Sequence, residues 1–129
     1  DVATDIVLRY AAEHRAGVIL STPCCQRELS SKLDCGELDF VAKYPILRRK
    51  LCDALTDSLR LSYLSSKGYN VEACELVDPE DTPKNILLRA VRINNFDTES
   101  ARAKKLREEF ENTCAFLLGE SGKTLTFLK

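Results

Sequence analysis

A chain of 129 residues is one domain's worth and buries about two-thirds of the surface its unfolded form exposes, which excludes an array of independent domains. With 44% hydrophobic and 30% charged residues the composition is globular, and a formal net charge of −1 excludes a global attraction to nucleic acid or anionic membrane. The apolar runs fall far short of the ~20 residues that cross a bilayer and no basic-then-apolar leader opens the chain, so a cytoplasmic protein with no membrane partner is expected.

Residues 1–16 read as a helix, because Ile6 and Tyr10, and Val7 and Ala11, repeat at helical spacing while Asp1, Thr4 and Asp5 supply cap and first-turn chemistry. Gly17 takes the C′ position and ends it. Val18, Ile19 and Leu20 then form a continuous apolar run, the pattern of a strand buried on both faces of a parallel sheet. Pro23 stops that strand, and residues 24–32 read as a helix that places Leu29 and Leu33 on one side. Cys24 and Cys25 thus fall where a strand's carboxyl end meets a helix amino end, the rim at which open α/β sheets bind ligands. The plainer reading makes them small residues that fit a tight turn.

Asp34-Cys35-Gly36 punctuates the chain, after which residues 38–43 and 45–66 are helical, with Pro45 in a first turn. Leu47, Leu51, Leu55, Leu59 and Tyr63 make one apolar stripe, and Gly68 ends the helix. Residues 69–77 alternate as a strand, with an irregularity near Cys74, and residues 86–93 form another beyond the turn-rich 78–83. No crossover helix fits between the two, so they are antiparallel. Asp97 or Thr98 caps a helix to about residue 118 with Phe110, Cys114 and Leu117 inward, Gly119 and Gly122 break it, and residues 124–128 form a last short strand. The whole is one α/β domain, residues 1–129, in which 97–129 is a helical carboxyl-terminal extension.

Six scattered cysteines without a C-x-x-C pair, and His14 as the single histidine, favour reduced thiols over a disulfide framework or a metal site. Basic residues cluster at Arg48-Arg49-Lys50, at Arg89 and Arg92, and at Arg102-Lys104-Lys105-Arg107. Facing one way they would grip a nucleic-acid backbone; such runs are more often solvated faces. Five glycines, none as G-x-G, leave the chain without a glycine-rich nucleotide cradle. The chain contains no methionine and opens on Asp1-Val2-Ala3-Thr4-Asp5, so a fragment of a longer protein is expected.

That opening, together with Pro23-Cys24-Cys25-Gln26-Arg27-Glu28-Leu29, Thr56-Asp57-Ser58-Leu59-Arg60, Gly68-Tyr69, Thr82-Pro83-Lys84-Asn85 and Arg89-Ala90, resembles the carboxyl-terminal half of a bacterial class I S-adenosylmethionine-dependent methyltransferase family. The resemblance covers roughly residues 1–93 and departs from the family pattern at Val2 and Arg27. It implies a partial Rossmann-like methyltransferase fold: a short mixed sheet in the order 18–22, 86–93, 71–77, flanked by helices, the outer edge of 18–22 left where a fourth strand belongs. An open apolar edge recruits partners, so a homodimer, a swap or cover by the carboxyl tail is expected there.

The resemblance further implies that the missing half carries the glycine-rich cofactor loop, and that this chain, inactive alone, supplies the substrate-side wall. Asp1 would stand at the rim as catalytic and cofactor-contacting group, Cys24 and Cys25 would line the site, and Pro23 would border the cofactor. Thr82, Lys84 and Asn85, at the hairpin tip, would close over substrate. Thr56, Asp57 and Arg60 lie inside a helix and are expected as buried anchors. RNA is the expected acceptor class, on the strength of the basic clusters. The competing reading is a non-catalytic interaction module with the same fold; a Cys24-Cys25 redox pair ranks last, since neighbours reach disulfide geometry poorly.

Overall fold

The computed structural model describes residues 2–24, 26–76, 85–119 and 124–126. In chain order these form α1 (Val2–Glu13), β1 (Val18–Ser21), α2 (Arg27–Lys32), a 3-10 turn (Gly36–Leu38), α3 (Asp39–Ala42), α4 (Pro45–Ser66), β2 (Tyr69–Glu75), β3 (Ile86–Arg92) and α5 (Ala101–Leu118). None of the described helices is long and apolar enough to cross a membrane.

β3 lies between β1 and β2 and pairs antiparallel with both, Ala90 standing opposite Ile19 on one side and Val71 on the other. The expected strand order is therefore present, but the sheet is antiparallel throughout its described residues and not mixed. Pairing runs without a break from Tyr69 and Arg92 to Glu75 and Ile86, so Cys74 marks no irregularity.

Alternation along each strand then assigns the faces. Ile19, Tyr69, Leu88 and Ala90 are buried, and the core they face includes Leu59 and Leu64 of α4. Val18 and Leu20 point the other way, 58% and 62% exposed. The expectation of a strand buried on both faces of a parallel sheet is thus corrected. Helices cover one face of the sheet, and no described element buries the other.

α4 is the central helix, packed by α1, α2, α3, α5 and the sheet. Pro45 opens it, and Gly68, at φ 91°, follows its last turn. Its buried residues are Cys52, Thr56, Leu59, Arg60, Tyr63, Leu64 and Ser66, whereas Leu47 is exposed and Leu51 and Leu55 are half-buried. The stripe expected from the leucines is thereby rotated. Polar side chains with partners inside the fold take the inner positions: the Thr56 hydroxyl donates to the Cys52 carbonyl at 2.7 Å and Arg60 meets Asp5.

α1 is rotated for the same reason. Asp5, Leu8 and Ala12 are buried, and Ile6, Val7 and Tyr10 face outward, the reverse of the expected apolar side. Asp5 is an ion-pair member instead of a cap. The helix also ends early: Arg15 takes the left-handed conformation at φ 55°, its N–H bonds the Ala12 carbonyl and that of Ala16 bonds Ala11, a Schellman ending. Arg15, not Gly17, fills the C′ position.

α5 starts later than expected, because Ser100 caps it by accepting from the Ala103 N–H at 3.1 Å. Phe110, Cys114, Leu117 and Leu118 join the common core, so this helix is integral to the fold. Residues 124–126 form no strand and do not cover β1. Leu125 is buried, and the tail lies on α2 through Glu28, which accepts from the N–H and hydroxyl of Thr126 and, at 2.6 Å, from Lys32 Nζ.

Burial opposes the charged form of Glu28, yet the bonds from Lys32 and Thr126 outweigh it and hold the carboxyl below its ordinary 4.5. A carboxyl lowered by folding contributes stability that is present above its unfolded value and lost as pH falls through the folded one. Glu28→Gln is expected to cost about 1 kcal/mol at neutral pH in urea unfolding. The gap to the parent sequence should close as pH falls below 4.5; a gap independent of pH would mean that the charge is not what holds the tail.

Candidate functional site

At the carboxyl end of β1 a cavity of about 490 Å³ opens between α4 and the sheet. Its apolar wall comes from Pro23, Leu61, Ala73 and Ile86, and its polar groups from Gln26, Lys50, Asp53, Asp57 and Ser58. Lys50, Asp53, Asp57 and Leu61 recur at helical spacing, so a single face of α4 supplies one whole side. The strands bring Ala73 and Ile86 because residues of this parity point toward the helices.

A chain of charge-assisted bonds fixes the polar side. Arg60 Nε donates to Asp5 Oδ1 at 2.7 Å, Arg60 Nη1 to Asp57 Oδ1 at 2.9 Å, and Gln26 Nε2 to Asp57 Oδ2 at 3.0 Å. Arg60 and Asp5 are each 1% exposed and Asp57 reaches the cavity. Burial pushes the Asp5 carboxyl up from its ordinary range, while Arg60 pulls it back toward the charged form. The turn after β1 is thus tied through Gln26 and Asp57 to the middle of the molecule. Asp57 and Gln26 are the parts of this anchor that line the cavity.

Of the residues expected at the site, Pro23 is buried and lines the cavity. Cys24 is exposed on the same connection, outside the cavity wall. Asn85 is buried at the base of the hairpin, its carbonyl and Oδ1 accepting the Leu76 N–H at 3.0 and 3.1 Å. That bond gives Asn85 a strand-closing role. Asp1, Cys25, Thr82 and Lys84 lie outside the described residues. Thr56, Asp57 and Arg60 are the anchors expected of them. Asp53, Ser58 and Lys50 were not singled out as site residues, although their common face on one long helix was available as a signal.

The arrangement suits a polar molecule with N–H or O–H donors, held by carboxylates over an apolar floor. It offers no cysteine–histidine couple: His14 follows α1 at the opposite end of β1 and bonds the Tyr10 carbonyl. Among the described residues no group of three His, Cys, Asp or Glu is placed to hold a metal. S-adenosylmethionine needs contacts to an aminoacyl chain, a ribose and an adenine. Among the described residues one buried proline and a carboxylate already engaged by Arg60 and Gln26 do not make that cradle.

Several members of the basic clusters are engaged within the fold. Arg48 donates to the Ser30 and Leu33 carbonyls, Arg89 pairs with Glu72 at 3.1 Å, and Lys104 and Lys105 pair with Glu99 and Glu109. No protein-family profile, curated protein or solved structure matches this chain.

Proposed function

We propose that this chain is the acceptor-side half of an S-adenosylmethionine-dependent methyltransferase, whose cofactor cradle is supplied by another part of the parent protein. The observation that carries the reading is the strand order β1-β3-β2, with the late strand β3 inserted between the two earlier ones. It is the order that the sequence resemblance implies. A second support is the outer edge of β1. Gly17 and Arg92 are a hydrogen-bonded pair, so alternation leaves the N–H and C=O groups of Val18 and Leu20 on the far side, with no bond to a described residue. A doubly wound sheet would pair that edge and cover the open face.

In this reading the 490 Å³ cavity takes the methyl acceptor, because ligands of open α/β sheets bind outside the carboxyl ends of strands. Asp53 and Asp57 orient its donors, and Pro23 and Cys24 border it. RNA is the acceptor class proposed. The described cysteines, which form no disulfide with one another, support a cytoplasmic setting. The exposed apolar residues of α1 and β1 also favour a second reading, a non-catalytic module that pairs with a second copy through the β1 edge.

Calorimetry with S-adenosylmethionine separates these readings. Saturable binding to the full-length parent and none to this chain is the expected result. Binding to this chain alone would overturn the split site. No binding to either would end the methyl-transfer reading, and self-association that Leu20→Lys abolishes would then favour the module.

A further inference from the structure

At the end of the sheet opposite the acceptor cavity lies a second cavity, of about 410 Å³. Arg15 reaches it from the end of α1, Lys67 from the end of α4 and Arg92 from the end of β3. Thr98 and Asn95 add neutral donors, and Phe96 and Tyr69 form an apolar wall. Among the described residues none of the three cations has a carboxylate partner within ion-pair distance, whereas Arg9, Lys32, Arg60, Arg89, Lys104 and Lys105 each have one. The carboxylate that lines the cavity, Glu13, lies 3.9 Å from Arg9. A further cation stands at the rim, since Arg107 donates to the Thr98 carbonyl at 2.8 Å.

Helix dipoles account for part of this. A cation at the carboxyl end of α1 or α4 is favourable by itself. They do not require a second cation there, yet the Arg92 guanidinium, from the end of β3, lies against the Arg15 backbone carbonyl at 3.4 Å, so two cationic residues share the carboxyl end of α1. Nor do they explain why Arg15 occupies a left-handed position at which glycine or asparagine is the easier choice. Like charges gathered round a cavity repel one another unless an anion joins them. Guanidinium and ammonium donors, with a hydroxyl and an amide beside them, match the oxygens of a phosphate group.

We propose that this cavity is a phosphate-binding site, held by Arg15, Lys67 and Arg92, for a phosphate ester supplied by a small metabolite or by a nucleic-acid backbone. The site stands apart from the methyl-transfer reading and survives its failure. Its charge is local, which is why a net charge of −1 does not reveal it.

The test is a two-dimensional NMR titration with inorganic phosphate, then adenosine 5′-monophosphate, then an oligouridylate with a 5′-hydroxyl. Saturable shifts are expected at the amides of Lys67, Gly68, Asn95 and Thr98, with affinity falling at least tenfold in Lys67→Gln/Arg92→Gln and unchanged in Lys43→Gln. Arg15→Gly discriminates further: it relieves the left-handed strain, so it is expected to keep or raise the unfolding midpoint while weakening phosphate severalfold. Tighter binding of the oligonucleotide assigns the ester to nucleic acid, and tighter binding of the monophosphate assigns it to a metabolite. Absence of shifts at these amides, or shifts that survive the double substitution, would overturn the site.

Discussion

Arg60→Ala is expected to remove about 3–5 kcal/mol of folding free energy, a large share of what a domain of this size possesses. The side chain is 1% exposed and sits between Asp5 and Asp57 at 2.7 and 2.9 Å. Truncation leaves the Asp5 carboxylate buried without its closest cation, and that uncompensated charge is the main cost. Asp5→Leu is expected to destabilise for the mirror reason. The combination Asp5→Leu/Arg60→Met should recover most of either loss, because replacing both charges by apolar groups removes the desolvation penalty along with the attraction. Urea unfolding of the two single variants and the double one gives the coupling directly. Strict additivity would mean that the charges reach water in solution. A local consequence should appear as well: with Arg60 gone, Asp57 loses one of its fixed donors and the Gln26 amide should exchange faster, since Gln26 holds the post-β1 turn through Asp57 at 3.0 Å.

This network marks where sequence reasoning worked and where it stopped. Punctuation was legible because it is local chemistry: Pro45 opens α4, Gly68 ends it, and the alternation of residues 69–75 and 86–92 yields the hairpin. The strand order followed from a resemblance, not from periodicity. Helix faces were misread wherever a polar residue had a distant partner. In α1 the outward Ile6, Val7 and Tyr10 look like a core stripe until Asp5 finds Arg60 fifty-five positions away. Likewise the leucine ladder of α4 competes with Thr56 and Arg60 for the inside. β1 was read as buried on both faces because a run of Val18, Ile19 and Leu20 carries no sign of which neighbours are present. The cavity beside β1 was half legible: Pro23 follows from the strand-to-helix turn, but Asp53 and Ser58 line a cavity only when β2 and β3 close over α4.

The second large effect is expected at Gly119, where alanine should cost about 3 kcal/mol or more. Gly119 ends α5 at φ 57° and ψ −159°, a backbone region that is nearly glycine's alone. A Cβ there would also stand 2.6 Å from the Asp34 carbonyl oxygen, a backbone atom that cannot swing aside. Relief requires α5 to back away from the loop after α2, and that motion strains the bond from the Asp34 N–H to the Leu117 carbonyl at 2.9 Å. Leu117 and Leu118, buried in the core immediately before it, would be pulled with it. Gly36→Ala is the matched control. Nothing lies within 4 Å of its added methyl and its φ is not left-handed, so the same substitution there should stabilise by about 0.4–1 kcal/mol through the unfolded chain. Opposite signs for one chemical change, measured by urea unfolding and by amide exchange in the last turn of α5, would establish that close backbone approach at Asp34 docks this helix. Equal and small effects at both glycines would mean that the α5 terminus is free to reposition.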